Sequence, residues 1–100
     1  MKKITLNDVI KKERACDSEF EEYYQKELLI NAISKMIIEL RQRAHLTQIE
    51  LANRAHTTQP VIARLESGTD TRVPSLQLLI RIAAAANAKL NMSIEFYKKV

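Results

Sequence analysis

Residues 47–68, TQIELANRAHTTQPVIARLESG, read as two short helices joined by a tight turn. Thr47-x-x-Glu50 has the form of a capping box, in which a hydroxyl and a carboxylate satisfy each other's orphan amide donors at a helix start. The first helix therefore begins at Gln48, with Ile49, Leu51 and Ala52 on its apolar side and Gln48, Asn53 and Arg54 on its polar side. Ala55-His56-Thr57 supplies the turn. Thr58 or Gln59 caps the second helix. Pro60 falls in its first turn, where a missing amide proton costs little, and disfavours helical geometry at the residue before it. Ile62 and Leu65 face inward at a spacing of three, which leaves Gln59, Val61, Ala63 and Arg64 nearer the outer face. Gly68 is the single glycine of the chain, and its tolerance of positive φ suits the end of the helix or of the loop after it.

Two helices joined in this way make a helix-turn-helix, a unit that lays one helix across the DNA backbone and the next in the major groove. The segment resembles the lambda-repressor-like or Xre-type helix-turn-helix family. The likeness runs from about Ile37 to Ala86, through Leu40, Arg41, Leu46, Thr47-Gln48, Glu50-Leu51-Ala52, Gln59, Ile62, Arg64-Leu65-Glu66, Gly68 and Pro74-Ser75-Leu76. The resemblance implies that Gln48 binds a phosphate from a helix N-terminus, that Gln59 reads a base edge and that Arg41 pairs internally with Glu66. The expected DNA-contacting set is Thr47, Gln48, Thr58, Gln59, Pro60, Val61, Ala63 and Arg64. His56 stands where the family usually has glycine. A left-handed backbone there costs a non-glycine residue on the order of 1 kcal/mol, histidine being among the tolerant types. Pro60 and Val61 replace commonly polar positions, which opens the readout to apolar contact with thymine methyls.

With 100 residues and 46% hydrophobic content, the chain can bury one core and is read as a single domain. The formal charge of +4 suits a polyanionic partner, and its distribution says more. Residues 41–81 carry six arginines against Glu50, Glu66 and Asp70, whereas residues 1–40 carry seven basic and eight acidic side chains. The basic excess lies on the helix-turn-helix half. Cys16 is the one cysteine, so an intramolecular disulfide and a cysteine-pair zinc site are excluded. The opening MKKITLNDVIKK lacks the apolar run of a signal peptide, and no stretch approaches the roughly 18 apolar residues of a membrane span. A cytoplasmic protein without a membrane partner is expected.

Upstream of the motif, a short helix is expected around Asn7 to Arg14. Ser18-x-x-Glu21 is a second capping box, from which a helix runs towards Ala44 with Leu29, Ile33, Met36, Ile37 and Leu40 along one stripe. Its length invites a break near Asn31 or Ser34. Downstream, SGTDTRVP is a loop, and Ser75 caps a helix with Leu76, Leu79, Ile80 and Ala83 on its buried side. Residues 89–96 then alternate, with Leu90, Met92, Ile94 and Phe96 on one face, which is a strand pattern. An otherwise helical chain offers that strand no sheet, so pairing with a second copy is the expected solution. The fold expected is mainly α: a five-helix domain with an N-terminal helical extension (1–26), a helix-turn-helix core (27–86) and one short C-terminal β-strand (87–100) that makes a homodimer.

Nothing points to an enzyme, a cofactor or a metal. His45 and His56 belong to no metal-ligand spacing, Glu21-Glu22 point different ways on a helix, and Cys16 has no activating base near it in sequence. The ending PSLQLLIRIAAAANAKLNMSIEF, with no segment like a ligand-sensing domain, is similar to the HigA-type antitoxin branch of the family. That resemblance implies a protein that represses its own operon and neutralises a small basic ribonuclease toxin. Phe20, Glu21, Glu22, Tyr23, Tyr24 and Glu27, aromatic and acidic side chains interleaved, form the surface expected to take the toxin. Two other readings use the same residues: a stand-alone Xre-type repressor or restriction-controller protein, and an adaptor that no longer binds DNA.

Overall fold

The computed structural model describes residues 18–96, in which four α-helices follow one another: α1 Ser18–Arg43, α2 Gln48–Arg54, α3 Gln59–Ser67 and α4 Leu76–Ala85. The expected helix around Asn7 to Arg14, Cys16 and the side chain of Ser18 lie outside this description. α1 passes Asn31 and Ser34 without a break, so the expected extension and core share one 26-residue helix. The fivefold helix count and the C-terminal strand are corrected: among the described residues there are four helices and no strand. Residues 91–96 are exposed, because a lone segment of alternating residues has no edge in an all-helical body to pair with.

Local sequence explains the helix starts. Thr47 Oγ1 accepts from the Glu50 amide at 3.1 Å while the Thr47 amide donates to Glu50 Oε1 at 2.8 Å, so both halves of the capping box form. Ser75 Oγ accepts from the Leu78 amide at 3.1 Å and caps α4. Thr58, not Gln59, is the cap residue of α3, in extended backbone and without a side-chain cap bond.

The helix ends share one solution. His45, His56 and Asn87 have φ of 57°, 57° and 61°, and Gly68 has 71°. After α1, α2 and α4 the left-handed residue lets two amides turn back onto the last carbonyls: Leu46 N to Arg41 O, Thr57 N to Ala52 O and Ala88 N to Ala83 O close the wider rings. Of these four left-handed residues, Gly68 alone adopts the conformation without steric cost. Its α-carbon hydrogens face α1, where a Cβ would stand 3.4 Å from both Asn31 Oδ1 and Ser34 Oγ. The Ser34 hydroxyl, buried on α1, donates to Glu66 O at 2.6 Å and ties the end of α3 to the long helix.

The core gathers Ile33 and Ile37 of α1, Leu46, Leu51, Ala52 and Ala55 around α2, Ile62 and Leu65 of α3 and Ile82 of α4. α3 packs on α1 and α2, and α4 packs on α2. Five apolar expectations change. On α1 the buried line is Ile30, Ile33 and Ile37, while Leu29 and Met36 lie on its flank, about half exposed. Ile49 points to solvent, as do Leu76 and Ile80, whose expected place in the core is taken by Ile82 with Leu78 and Leu79 beside it. Arg81 explains this last change. Its Nε donates to Ala55 O at 3.0 Å, so the one charged side chain of α4 turns inward to meet the end of α2.

Residues 19–29 of α1 hold no buried side chain. At 1.5 Å per residue this half of the helix extends roughly 16 Å past the core.

Candidate nucleic-acid interface

α3 presents two faces because its apolar residues are three apart. Ile62 is fully buried and Leu65 nearly so, which anchors the helix and leaves Gln59, Pro60, Ala63, Arg64 and Ser67 along the opposite side. Pro60 and Arg64 are exposed, Gln59 and Ala63 half-buried. Val61, expected on the outer face, lies on the inner flank and packs against the core.

Beneath that face runs a chain of polar side chains. Gln59 Nε2 donates to Gln48 Oε1 at 2.9 Å, and Gln48 Nε2 donates to Glu66 Oε1 at 3.0 Å. Glu66 receives Arg41 through both carboxylate oxygens, Nε at 2.7 Å and Nη2 at 3.1 Å, and Arg41 Nη1 donates onward to Leu46 O at 3.1 Å. The bidentate geometry suits a guanidinium–carboxylate pair, and the side chains are only 21% and 7% exposed. Burial works to raise the Glu66 pKa, but the hydrogen bonds from Arg41 and Gln48 and the Arg41 charge outweigh it and hold the carboxyl below its ordinary value. Arg41 is raised above its ordinary value, first through its hydrogen bond to Glu66. The consequence is mechanical: the first residue of α2 and the first residue of α3 are fixed to each other and to α1.

The Thr47 hydroxyl is spent in its cap, and Thr58 is exposed at the start of α3. Glu50 is held below the usual carboxylate range, first by the Thr47 backbone amide and then by its hydroxyl.

The arginines are less available than their number suggests. Arg64 Nε meets Asp70 Oδ2 at 3.2 Å, and Arg72 reaches Asp70 Oδ1 through its amide at 3.0 Å and its Nε at 3.3 Å. Those bonds, the Arg72 amide foremost, depress the Asp70 pKa and shape the loop after α3. Arg43 pairs with Glu39, Arg81 meets Ala55 O, and Arg41 is held by Glu66. Arg54 is exposed at the end of α2 and takes part in none of these pairs. Sequence reasoning missed the Asp70 cluster and the Arg81 contact; Asp70-x-Arg72 was the one local signal, a side chain bonding the backbone two residues on.

The residues expected to take a toxin divide between two sides of α1. Glu22 and Tyr23 line an open groove of about 930 Å³ with Glu19, Lys26, Leu29, Ala32 and Val73, whereas Phe20, Tyr24 and Glu27 follow a separate line three and four residues apart. Tyr23 is 64% exposed. Leu90, Met92, Ile94 and Phe96 follow α4; Leu90 is half-buried and the other three are exposed. No group of His, Cys, Asp and Glu among the described residues could hold a metal ion, and no described helix is long and apolar enough to cross a membrane.

A family model described as helix-turn-helix matches residues 37–95, more than half of the chain. Neither the curated proteins nor the solved structures give a match.

Proposed function

The chain belongs to the helix-turn-helix family, and from that premise we propose that this DNA-binding transcriptional regulator represses its own operon as a homodimer and is the antitoxin of a small basic ribonuclease toxin. In this reading α3 enters the major groove with Gln59 at a base edge, Gln48 and Thr58 meet flanking phosphates, and the exposed Arg54 adds a phosphate contact. The support for base reading is the chain from Arg41 through Glu66 and Gln48 to Gln59, because a side chain held in place before binding loses less freedom when it meets its base. Pro60 and Ala63 beside Gln59 give thymine methyls an apolar surface.

One observation carries the antitoxin half: beyond the core, α1 presents Leu29, Lys26, Tyr23, Glu22 and Glu19 along one groove with no described residue packed over it, apart from Val73 at its edge. An apolar and aromatic groove rimmed by glutamates favours a basic partner, with Tyr23 as the anchor and Glu19 and Glu22 steering the encounter. The groove is lined by α1 and Val73 and by no residue of α3, so toxin and operator would be held by separate residues. Both partners belong to the cytoplasm.

Co-expression with the product of the adjacent reading frame tests this. The two proteins should co-purify, the toxin's growth arrest should be relieved, and Tyr23→Ala should shorten the life of the complex while leaving operator binding intact. Operator binding without any interaction with the neighbouring product would leave the stand-alone repressor as the function.

A further inference from the structure

Two arginines share one carboxylate in the loop after α3. Asp70 Oδ2 lies 3.2 Å from Arg64 Nε, while Oδ1 accepts from the Arg72 amide at 3.0 Å and from Arg72 Nε at 3.3 Å. The loop is also fixed at its start, where Ser67 Oγ donates to Arg64 O at 2.7 Å and accepts from the Thr69 amide at 3.3 Å. The Asp70 side chain is 14% exposed, against 49% for Arg64 and 72% for Arg72. The anion is therefore tied to the backbone, whereas each cation sits at the end of a flexible stem within reach of water.

Arg64 lies on the same side of α3 as Gln59 and Pro60, so a DNA phosphate and Asp70 compete for one guanidinium. An exposed pair of this kind is worth about 1 kcal/mol at most, and a phosphate can displace the carboxylate. What the displacement returns depends on register. Where base contacts hold α3 in one place, a phosphate sits opposite Arg64 and replaces Asp70. On other DNA, held by backbone attraction alone, no phosphate is fixed at that point, so the pair stays closed. The Asp70 charge stays with the loop in either case and repels every phosphate that approaches.

We propose that Asp70 is an internal anion that competes with DNA phosphates for Arg64 and thereby lowers binding to DNA at large more than binding to the operator. The proposal rests on the reading in which α3 enters the major groove. It makes Asp70 a specificity-determining residue that touches no base: base contacts are unaffected by it, while the sequence-independent attraction is reduced. The effect matters because a regulator selects its site against a large excess of other DNA, so the ratio of the two affinities, not the tighter one alone, decides occupancy.

Titrations of the full chain against the DNA upstream of its own reading frame, and against the same DNA scrambled, test it. Asp70→Asn keeps an oxygen for the Arg72 amide and removes the charge. It should raise affinity for the scrambled DNA about fivefold and for the upstream DNA about twofold or less, so that the ratio of the two falls. Glu95→Gln, the same change of net charge on the segment after α4, should leave the ratio as it is. Arg64→Gln should weaken binding to the upstream DNA and hardly alter binding to the scrambled DNA, and adding Asp70→Asn to it should leave the ratio unmoved. An unchanged ratio with Asp70→Asn, an equal fall with Glu95→Gln, or a full effect of Asp70→Asn in the absence of Arg64 overturns the proposal. Should Asp70→Asn lose its far-UV helix signal, Arg64→Gln alone decides, and an equal loss on both DNAs overturns the proposal. An unaltered chain that binds neither DNA, or both alike, overturns the reading of α3 as well.

Discussion

Gln59 Nε2 lies 2.9 Å from Gln48 Oε1, so the first residues of the two short helices are joined by a hydrogen bond, and Gln48 is in turn held by Glu66. The residue proposed to read the base is thus positioned by its neighbour. Gln48→Ala should weaken specific DNA binding through loss of this support as well as of its own phosphate contact, by about 1–2 kcal/mol. A double-mutant cycle of Gln48→Ala with Gln59→Ala, read by operator affinity, should show a coupling of about 0.5 kcal/mol or more. Strictly additive losses would mean the two amides act independently.

Among the described residues, Arg41 and Glu66 form the ion pair with both side chains largely shielded from water. Removing either leaves the other partly desolvated, so Glu66→Ala or Arg41→Ala should cost about 3 kcal/mol in chemical denaturation. Replacing both with methionine should cost less than either single change.

The same pair fixes an acid limit. The Glu66 pKa is lower in the folded chain than in the unfolded one, so its stabilising contribution is complete above the unfolded value of about 4.3 and disappears as pH falls through the folded value. Stability should decline below about pH 4.5, and Glu66→Gln should flatten that decline while lowering stability at neutral pH. An equal acid slope in both chains would show that Glu66 does not contribute.

His56 occupies left-handed backbone with φ of 57° in the turn between α2 and α3. His56→Gly should remove the strain and stabilise the fold by about 0.5–1 kcal/mol, or roughly 3–6 °C in Tm for a chain of this size. His56→Val, with a branched Cβ, should lower Tm. A destabilised glycine variant would show that the imidazole makes a contact worth more than the strain.

Much of this architecture was legible where the determinants are local. The capping box at Thr47 and Glu50, the Ser75 cap, the inward pair Ile62 and Leu65, and the Gly68 stop all depend on residues within a turn of each other. The phases of α1 and α4 were not, for a definite reason. In α4, Leu76, Leu78, Leu79, Ile80 and Ile82 surround the axis, so a polar residue must mark the outer side, and Arg81 misleads because it reaches inward to Ala55 O. On α1, Leu29 and Met36 fit the same periodicity as Ile30 and Ile37, and only the position of α3 decides between them. The pairing of Arg64 with Asp70 removes a cation that counting leaves free.

That pairing gives a prediction of its own. Asp70→Asn should release Arg64 at the edge of the outer face of α3, increasing affinity for all DNA sequences and steepening the salt dependence by nearly one unit of slope. An unchanged slope would mean that Arg64 does not approach a phosphate.

The most direct test of the central claim is a fluorescence-anisotropy titration of the unaltered chain and Gln59→Ala against the DNA upstream of its own reading frame, and against the same site altered one base pair at a time. The unaltered chain should bind with affinity that falls as salt rises, and Gln59→Ala should lose about 1–3 kcal/mol and cease to discriminate at one base pair in each half-site. Equal affinity of both chains for every sequence would contradict base reading by α3.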